Sequence, residues 1–106
     1  MQLDKEIRES IGIPKDAYLV GHVGRFHYAK NHEFLLAIFR DVLRQYDAQK
    51  GKKPLLLMLG EGPRMEEMKT LAHDYGVSQD VIFAGNHSDV YRYYQGMDIF
   101  LYPRIP

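Results

Sequence analysis

Cysteine and tryptophan are both absent from the 106 residues. The first absence removes disulfides, thiolate nucleophiles and Cys-containing zinc sites, and fits a reducing compartment, the cytoplasm. Net charge is missing too, since fourteen Lys and Arg stand against fourteen Asp and Glu. The basic footprint of a duplex-binding module or a membrane-surface helix is therefore lacking, and nucleic acid is not expected as a partner. Apolar runs are short. Phe34 to Phe39 and Leu55 to Leu59 are the longest, far below the ~20 residues of a transmembrane helix. Met1 to Ser10 carries charge at nearly every second position without an apolar stretch, so it does not read as a secretory signal, and no element is assigned before Ala17. What is present is the composition of one folded domain, residues 1–106, with 45% apolar, 26% charged and 12% aromatic residues.

The hydrophobic period alternates along the chain. Ala17 to Gly24 (AYLVGHVG) reads as a strand after Pro14. From Asn31, taken as an N-cap, Leu35, Ile38, Phe39, Val42 and Tyr46 recur at helical spacing, predicting a helix over 31–50 that Gly51 stops. Leu55 to Leu59 follows Pro54 without alternation, as in a strand covered on both faces. Pro63 suits the first position of a second helix with the inward stripe Met65, Met68, Leu71, Ala72 and Tyr75, ending at Gly76. Val81 to Ala84 is a third strand, Ser88 caps a short helix through Gln95, and Met97 to Tyr102 is a fourth strand. The Tyr91, Tyr94 and Met97 stripe reads as packing. This order predicts an α/β fold, a Rossmann-like parallel sheet of at least four strands flanked by helices.

Ligands of such sheets sit outside the carboxyl ends of the strands. The loop after the first strand is the most informative, because Leu19 to His32 contains no carboxylate. Arg25 and Lys30 bring fixed positive charge, His22, His27 and His32 could add to it, Gly21 and Gly24 let a ligand approach the backbone, and the next helix turns its N-terminus to the same space. The pattern describes an anion site, most simply for a diphosphate. Gly60-Glu61-Gly62 has two of the three glycines of a dinucleotide fingerprint, but Pro63 removes an N–H from the helix start and no acid ends the next strand, which disfavours nicotinamide and flavin. Phosphate-loop, nucleophile-elbow and metalloprotease motifs are absent, and the His27 and His32 spacing suits no metal on one helix face.

Taken in order, Val23-Gly24-Arg25-Phe26, Lys30-Asn31-His32-Glu33-Phe34-Leu35-Leu36, Leu57-Met58-Leu59-Gly60-Glu61-Gly62-Pro63, Val81-Ile82-Phe83-Ala84-Gly85, Asp89-Val90 and Met97-Asp98-Ile99-Phe100-Leu101-Tyr102-Pro103 resemble family 4 glycosyltransferases. The match is to the C-terminal, donor-binding domain of their GT-B fold. The resemblance implies a retaining hexosyltransferase-type enzyme that moves a sugar from a nucleoside diphosphate to a glycan or lipid-linked acceptor, as in surface polysaccharide biosynthesis. It implies no cofactor and no metal, only the nucleoside diphosphate sugar as donor substrate. Arg25 and Lys30 would act on the diphosphate; Gly24, Gly60, Glu61 and Gly62 would line the nucleotide cleft; Asn86, His87 and Val90 would lie near the base. The family pattern continues after Pro103 into Glu-Gly-hydrophobic-Pro and a second glutamate eight residues after the first, whereas this sequence ends at Arg104-Ile105-Pro106. A donor-binding fragment lacking those glutamates and the N-terminal acceptor domain is expected to be inactive alone. The whole enzyme would be free to associate peripherally with a membrane. Rival readings are a sugar-nucleotide epimerase-like GT-B domain and a non-catalytic nucleotide-binding module.

Overall fold

The structure, a computed structural model, describes residues 5–14, 16–23, 29–47, 49, 51–85, 87–88 and 90–100. Four strands, β1 (Tyr18–Val23), β2 (Pro54–Leu59), β3 (Val81–Gly85) and β4 (Ile99–Phe100), alternate with the helices α2 (Ala29–Gln45), α3 (Met65–Asp74) and α4 (Val90–Gly96), after a six-residue helix α1 (Lys5–Ser10). All the pairings are parallel, in the order β3-β2-β1-β4. The chain runs outward from β1 through β2 to β3, then returns past both to place β4 on the far side of β1. The sheet therefore changes direction between β1 and β4, and that is where open α/β sheets bind ligands.

Alternation within the strands sorts the core into two layers. Val20, Leu56, Met58 and Val81 meet Leu35, Leu36 and Phe39 of α2 and Met68 and Ala72 of α3 on one face. Leu19, Leu55, Leu57 and Leu59 meet Ile13, Tyr93 and Met97 on the other, where α1 packs beside α4. Every residue of β2 is buried, which is why its sequence shows no alternation. Gly21 lets Met97 cross β1, since a Cβ there would collide with the thioether.

Several element boundaries differ from expectation. The first long helix begins before Asn31, which lies inside α2 rather than capping it, and it ends at Gln45 rather than at residue 50. Its end is set locally: Tyr46 N–H donates to the Leu43 carbonyl, and the Asp47 carboxylate takes the Gln49 N–H at 2.9 Å, a side-chain turn that stops the helix before Gly51 is reached. Leu36 is buried on the inner face while Val42 is exposed. Pro63 is not the first residue of α3; it sits in the turn closed by the Met65 N–H on the Gly62 carbonyl, and Arg64 holds the N-cap position. In α4, which starts at Val90, Tyr91 is exposed while Tyr93 is buried.

The helix α1 was not foreseen. Its Arg8 side chain is 6% exposed and donates to the Ala17 carbonyl at 3.0 Å and to the Asp98 carboxylate at 2.8 Å. The same Asp98 oxygen takes the Leu19 N–H at 2.7 Å, and Asp98 N–H returns to the Leu19 carbonyl at 2.8 Å. One carboxylate thus ties α1, the start of β1 and the approach to β4. The available signal was Gly12-Ile13-Pro14, because Gly12 ends α1 at φ 75° with Ile13 N–H on the Arg8 carbonyl and Gly12 N–H on that of Glu9, a Schellman ending followed by proline.

Candidate functional site at the carboxyl ends of the strands

Gly24, Arg25 and Asn86 lie outside the described residues, as do residues 26–28. Lys30 is the second residue of α2 and Val90 the first of α4. The first turn of α2 contains no acidic residue, so nothing in it offsets the positive end of a 17-residue helix. This helix start follows the carboxyl end of β1, the central strand at the switch point.

Beside it in the same row, β2 and β3 end together. Gly60 has φ 131° and gives its N–H to the Gly85 carbonyl at 2.7 Å. Gly85 has φ 79°, and a Cβ there would stand 3.8 Å from the Glu61 carboxylate. Glu61 is exposed, and Gly62 turns the chain into α3. The pairing is irregular here: Met58 pairs with Phe83 but Leu59 with Gly85, so Ala84 is an extra residue, a bulge of the kind that re-aims chain ends near sites. His87 is half-buried, with Nε2 2.7 Å from the Ala84 carbonyl and Nδ1 3.1 Å from the Tyr93 hydroxyl. The structure thus brings Gly60, Glu61, Gly62 and His87 to the same edge of the sheet as the start of α2.

His22 and His32 behave differently from expectation. Their residual exposures are 5% and 3%, and the rings pack edge to face at 5.2 Å between centroids. They join the end of β1 to the first turn of α2 as packed, buried groups rather than standing open as surface cations, because both fall on the inward positions of their elements. Sequence spacing alone did not separate them from His27, which lies outside the described residues.

A cavity of about 610 Å³ at the opposite, N-terminal ends of the strands is bordered by Ile11, Ala17, Lys53, Leu55, Asp80 and Ile82. Its Lys53 is neutralised by Asp80 at 3.0 Å, and it lies at the edge of the sheet where parallel folds do not place ligands. No helix among the described residues is long and apolar enough to cross a membrane.

Known proteins share this architecture. The Anabaena HepE structure in complex with UDP and glucose superposes with a TM-score of 0.70 at 19% identity over 92% of this chain and 25% of that one. WaaG, a glycosyltransferase involved in lipopolysaccharide biosynthesis, gives 0.69 at 24% identity over 94% and 26%. These are GT-B glycosyltransferases, and the α/β sheet flanked by helices is common to them and to this chain. Among sequences, a putative glycosyltransferase of Bacillus subtilis, EpsF, is 31% identical over 98% of this chain and 26% of its own length. An α-monoglucosyldiacylglycerol synthase of Streptococcus pneumoniae is 31% identical over 92% and 21%. The chain therefore spans about a quarter of the length of these relatives. With the sheet order, the glycine turns and these likenesses in agreement, and with residues 4–105 matching the family described as glycosyl transferases group 1, the chain belongs to that family.

Proposed function

We propose that this chain is the donor-binding part of a retaining glycosyltransferase, holding a nucleoside diphosphate sugar whose glycosyl group passes to a glycan or lipid-linked acceptor. The observation that carries the reading is the convergence of the β1 end, the acid-free first turn of α2 and the Gly60–Gly62 turn on the switch-point edge of one parallel sheet. As the bond to the sugar breaks, negative charge develops on the diphosphate. Arg25, Lys30 and the α2 N-terminus would stabilise that charge without a metal. The nucleotide would extend along the strand ends past Gly60, Glu61 and Gly62 toward His87, with Gly24, Asn86 and Val90 lining it. The HepE structure, which contains UDP, supports a uridine nucleotide as the first ligand to try. The relative named as an α-monoglucosyldiacylglycerol synthase, with WaaG named for lipopolysaccharide biosynthesis, supports a surface-glycan or glycolipid acceptor. Turnover would require an acceptor-binding domain beside this one, in the cytoplasm.

Titration calorimetry with UDP and GDP tests the reading. Arg25→Ala and Lys30→Ala should each weaken binding by about 10- to 100-fold, the worth of one charge-assisted contact. Added salt should weaken it as well. Lys52→Ala, at the exposed N-terminal approach to β2, should leave it unchanged. Binding indifferent to Arg25 and Lys30 would refute the assignment.

A further inference from the structure

We propose that the flank of α2 turned away from α3 is a self-association surface, on which a second copy of this chain seats its own α2. Tyr18, Phe34, Val42 and Ile99 are exposed by 40%, 54%, 43% and 42%. They belong to three elements, yet the fold gathers them on one side. Glu33 lines a groove with Glu67 and Met68, and the Arg40 guanidinium lies over the Tyr75 ring at 4.4 Å, so these two residues mark the flank of α2 that meets α3. Phe34, Ile38 and Val42, at four-residue steps, form a ridge along the opposite flank. The sheet beneath continues it. Val20 is packed in the layer under α2, Tyr18 precedes it by two residues and shares its face, and Ile99 of β4 is its neighbour in the parallel pairing.

The strip beside α2 suits one helix. On this face α2 and α3 connect β1 to β2 and β2 to β3, and β4 extends the sheet past β1 with no described helix over it. Packed helices stand about 8–10 Å apart, two strand spacings, so one more helix fits over β4 against the ridge. A second copy supplies it because the ridge is symmetric about Ile38. With two α2 helices antiparallel across a two-fold axis at Ile38, Phe34 of each meets Val42 of the other, large against small, and each helix covers the other copy's Ile99. Charge does not oppose the pairing. The chain has no net charge, and Asp41, beside the ridge, is paired within its own helix by Arg40 and Arg44 at 3.6 and 3.8 Å. A 17-residue helix is about 25 Å long and about 10 Å across, so the flank and the strip beside it give a footprint of about 500 Å² per copy, that of a weak dimer in exchange with monomer.

Sedimentation equilibrium of the 106-residue chain from about 5 to 500 μM should show monomer and dimer in exchange. Ile38→Lys sets like charges against each other at the axis and should weaken the dimer at least about tenfold, and Phe34→Ala about tenfold. Tyr91→Ala, exposed on α4 on the other face of the sheet, should leave it unchanged, as should added salt, within about twofold. These side chains are exposed or half-buried, and circular dichroism checks that each variant keeps its fold. The sequence has no cysteine, so introduced thiols report the register. Under mild oxidation Ile38→Cys should join to itself, and an equimolar mixture of Phe34→Cys and Val42→Cys should join to each other in preference to themselves, whereas Tyr91→Cys stays single. The proposal is overturned if the chain sediments as a monomer throughout, if Ile38→Lys dimerises as tightly as the parent, or if Phe34→Cys and Val42→Cys each prefer themselves. No nucleotide enters these experiments, so their outcome stands apart from the donor-site reading.

Discussion

At the scale of single residues, Gly21 leaves no room for a Cβ. Its missing Cβ is where the Met97 thioether crosses the strand, and Met97 in turn closes the layer formed by Leu19, Leu57 and Tyr93. Methionine is flexible and can move, so Gly21→Ala should cost about 1–3 kcal/mol, the range of core overpacking, rather than abolish folding. Met97→Ala removes the obstacle and leaves a hole, at a cost of about 2–5 kcal/mol. The two changes compete for one volume, so the double variant should be more stable than the sum of the single costs allows. Thermal unfolding followed by circular dichroism measures all three, and strict additivity would show that the two side chains do not share that space. The same scale holds the part of the site least legible in the sequence. His22 and His32 read as two more cations in a basic loop, because charge counting is blind to which side of a strand or helix a residue occupies. Packing turns both inward, where they are buried.

At the scale of elements, legibility followed the source of stability. The run Leu55 to Leu59 was readable as a strand covered on both sides because its own apolar composition records both neighbours. The end of α3 was readable for the same local reason: Gly76, at φ 74°, lets Val77 N–H reach the Ala72 carbonyl and its own N–H that of His73. By contrast α1 escaped; its Arg8 is buried, and hydrophobic periodicity counts an arginine as surface. Its partner, Asp98, is 90 residues away in sequence. The α2 boundary escaped because an Asx turn at Asp47 was stronger than the more distant glycine. The Arg8 and Asp98 pair carries a directional prediction. Asp98→Ala strands a guanidinium that is 6% exposed and removes the acceptor of Leu19 N–H, a loss of about 3–5 kcal/mol. Arg8→Met should cost less, because methionine fills the space of the arginine stem, and the remaining carboxylate is 20% exposed and keeps its backbone partner. Urea midpoints at constant slope rank the two variants, and the reverse order would mean that the ion pair is not what anchors α1.

At the scale of the whole molecule, the sheet has two ends of opposite character, although the net charge is zero. The carboxyl end has the N-terminus of α2 with no acid in its first turn and the glycine turns at Gly60 and Gly85. The amino end has the cavity beside Ile11 and Leu55, where Asp16 and Asp80 face Lys52 and Lys53 and the charges cancel locally. An anion is attracted by the first and gains little from the second. Hydrogen exchange distinguishes them directly. Saturating UDP should slow exchange of amides at His22 and Val23, in the first turn of α2 and at Gly60–Gly62, while amides at Gly12, Lys52 and Lys53 keep their unliganded rates. A ligand present at about 100 times its dissociation constant adds about 2.7 kcal/mol to global stability, so the most protected amides, expected in the fully buried β2, should slow everywhere by the same amount. The informative signal is therefore the local excess above that uniform shift. Excess protection around Lys52 and Lys53, with none at the end of β1, would move the ligand to the amino-end cavity and separate this chain's binding site from the topological rule that locates it.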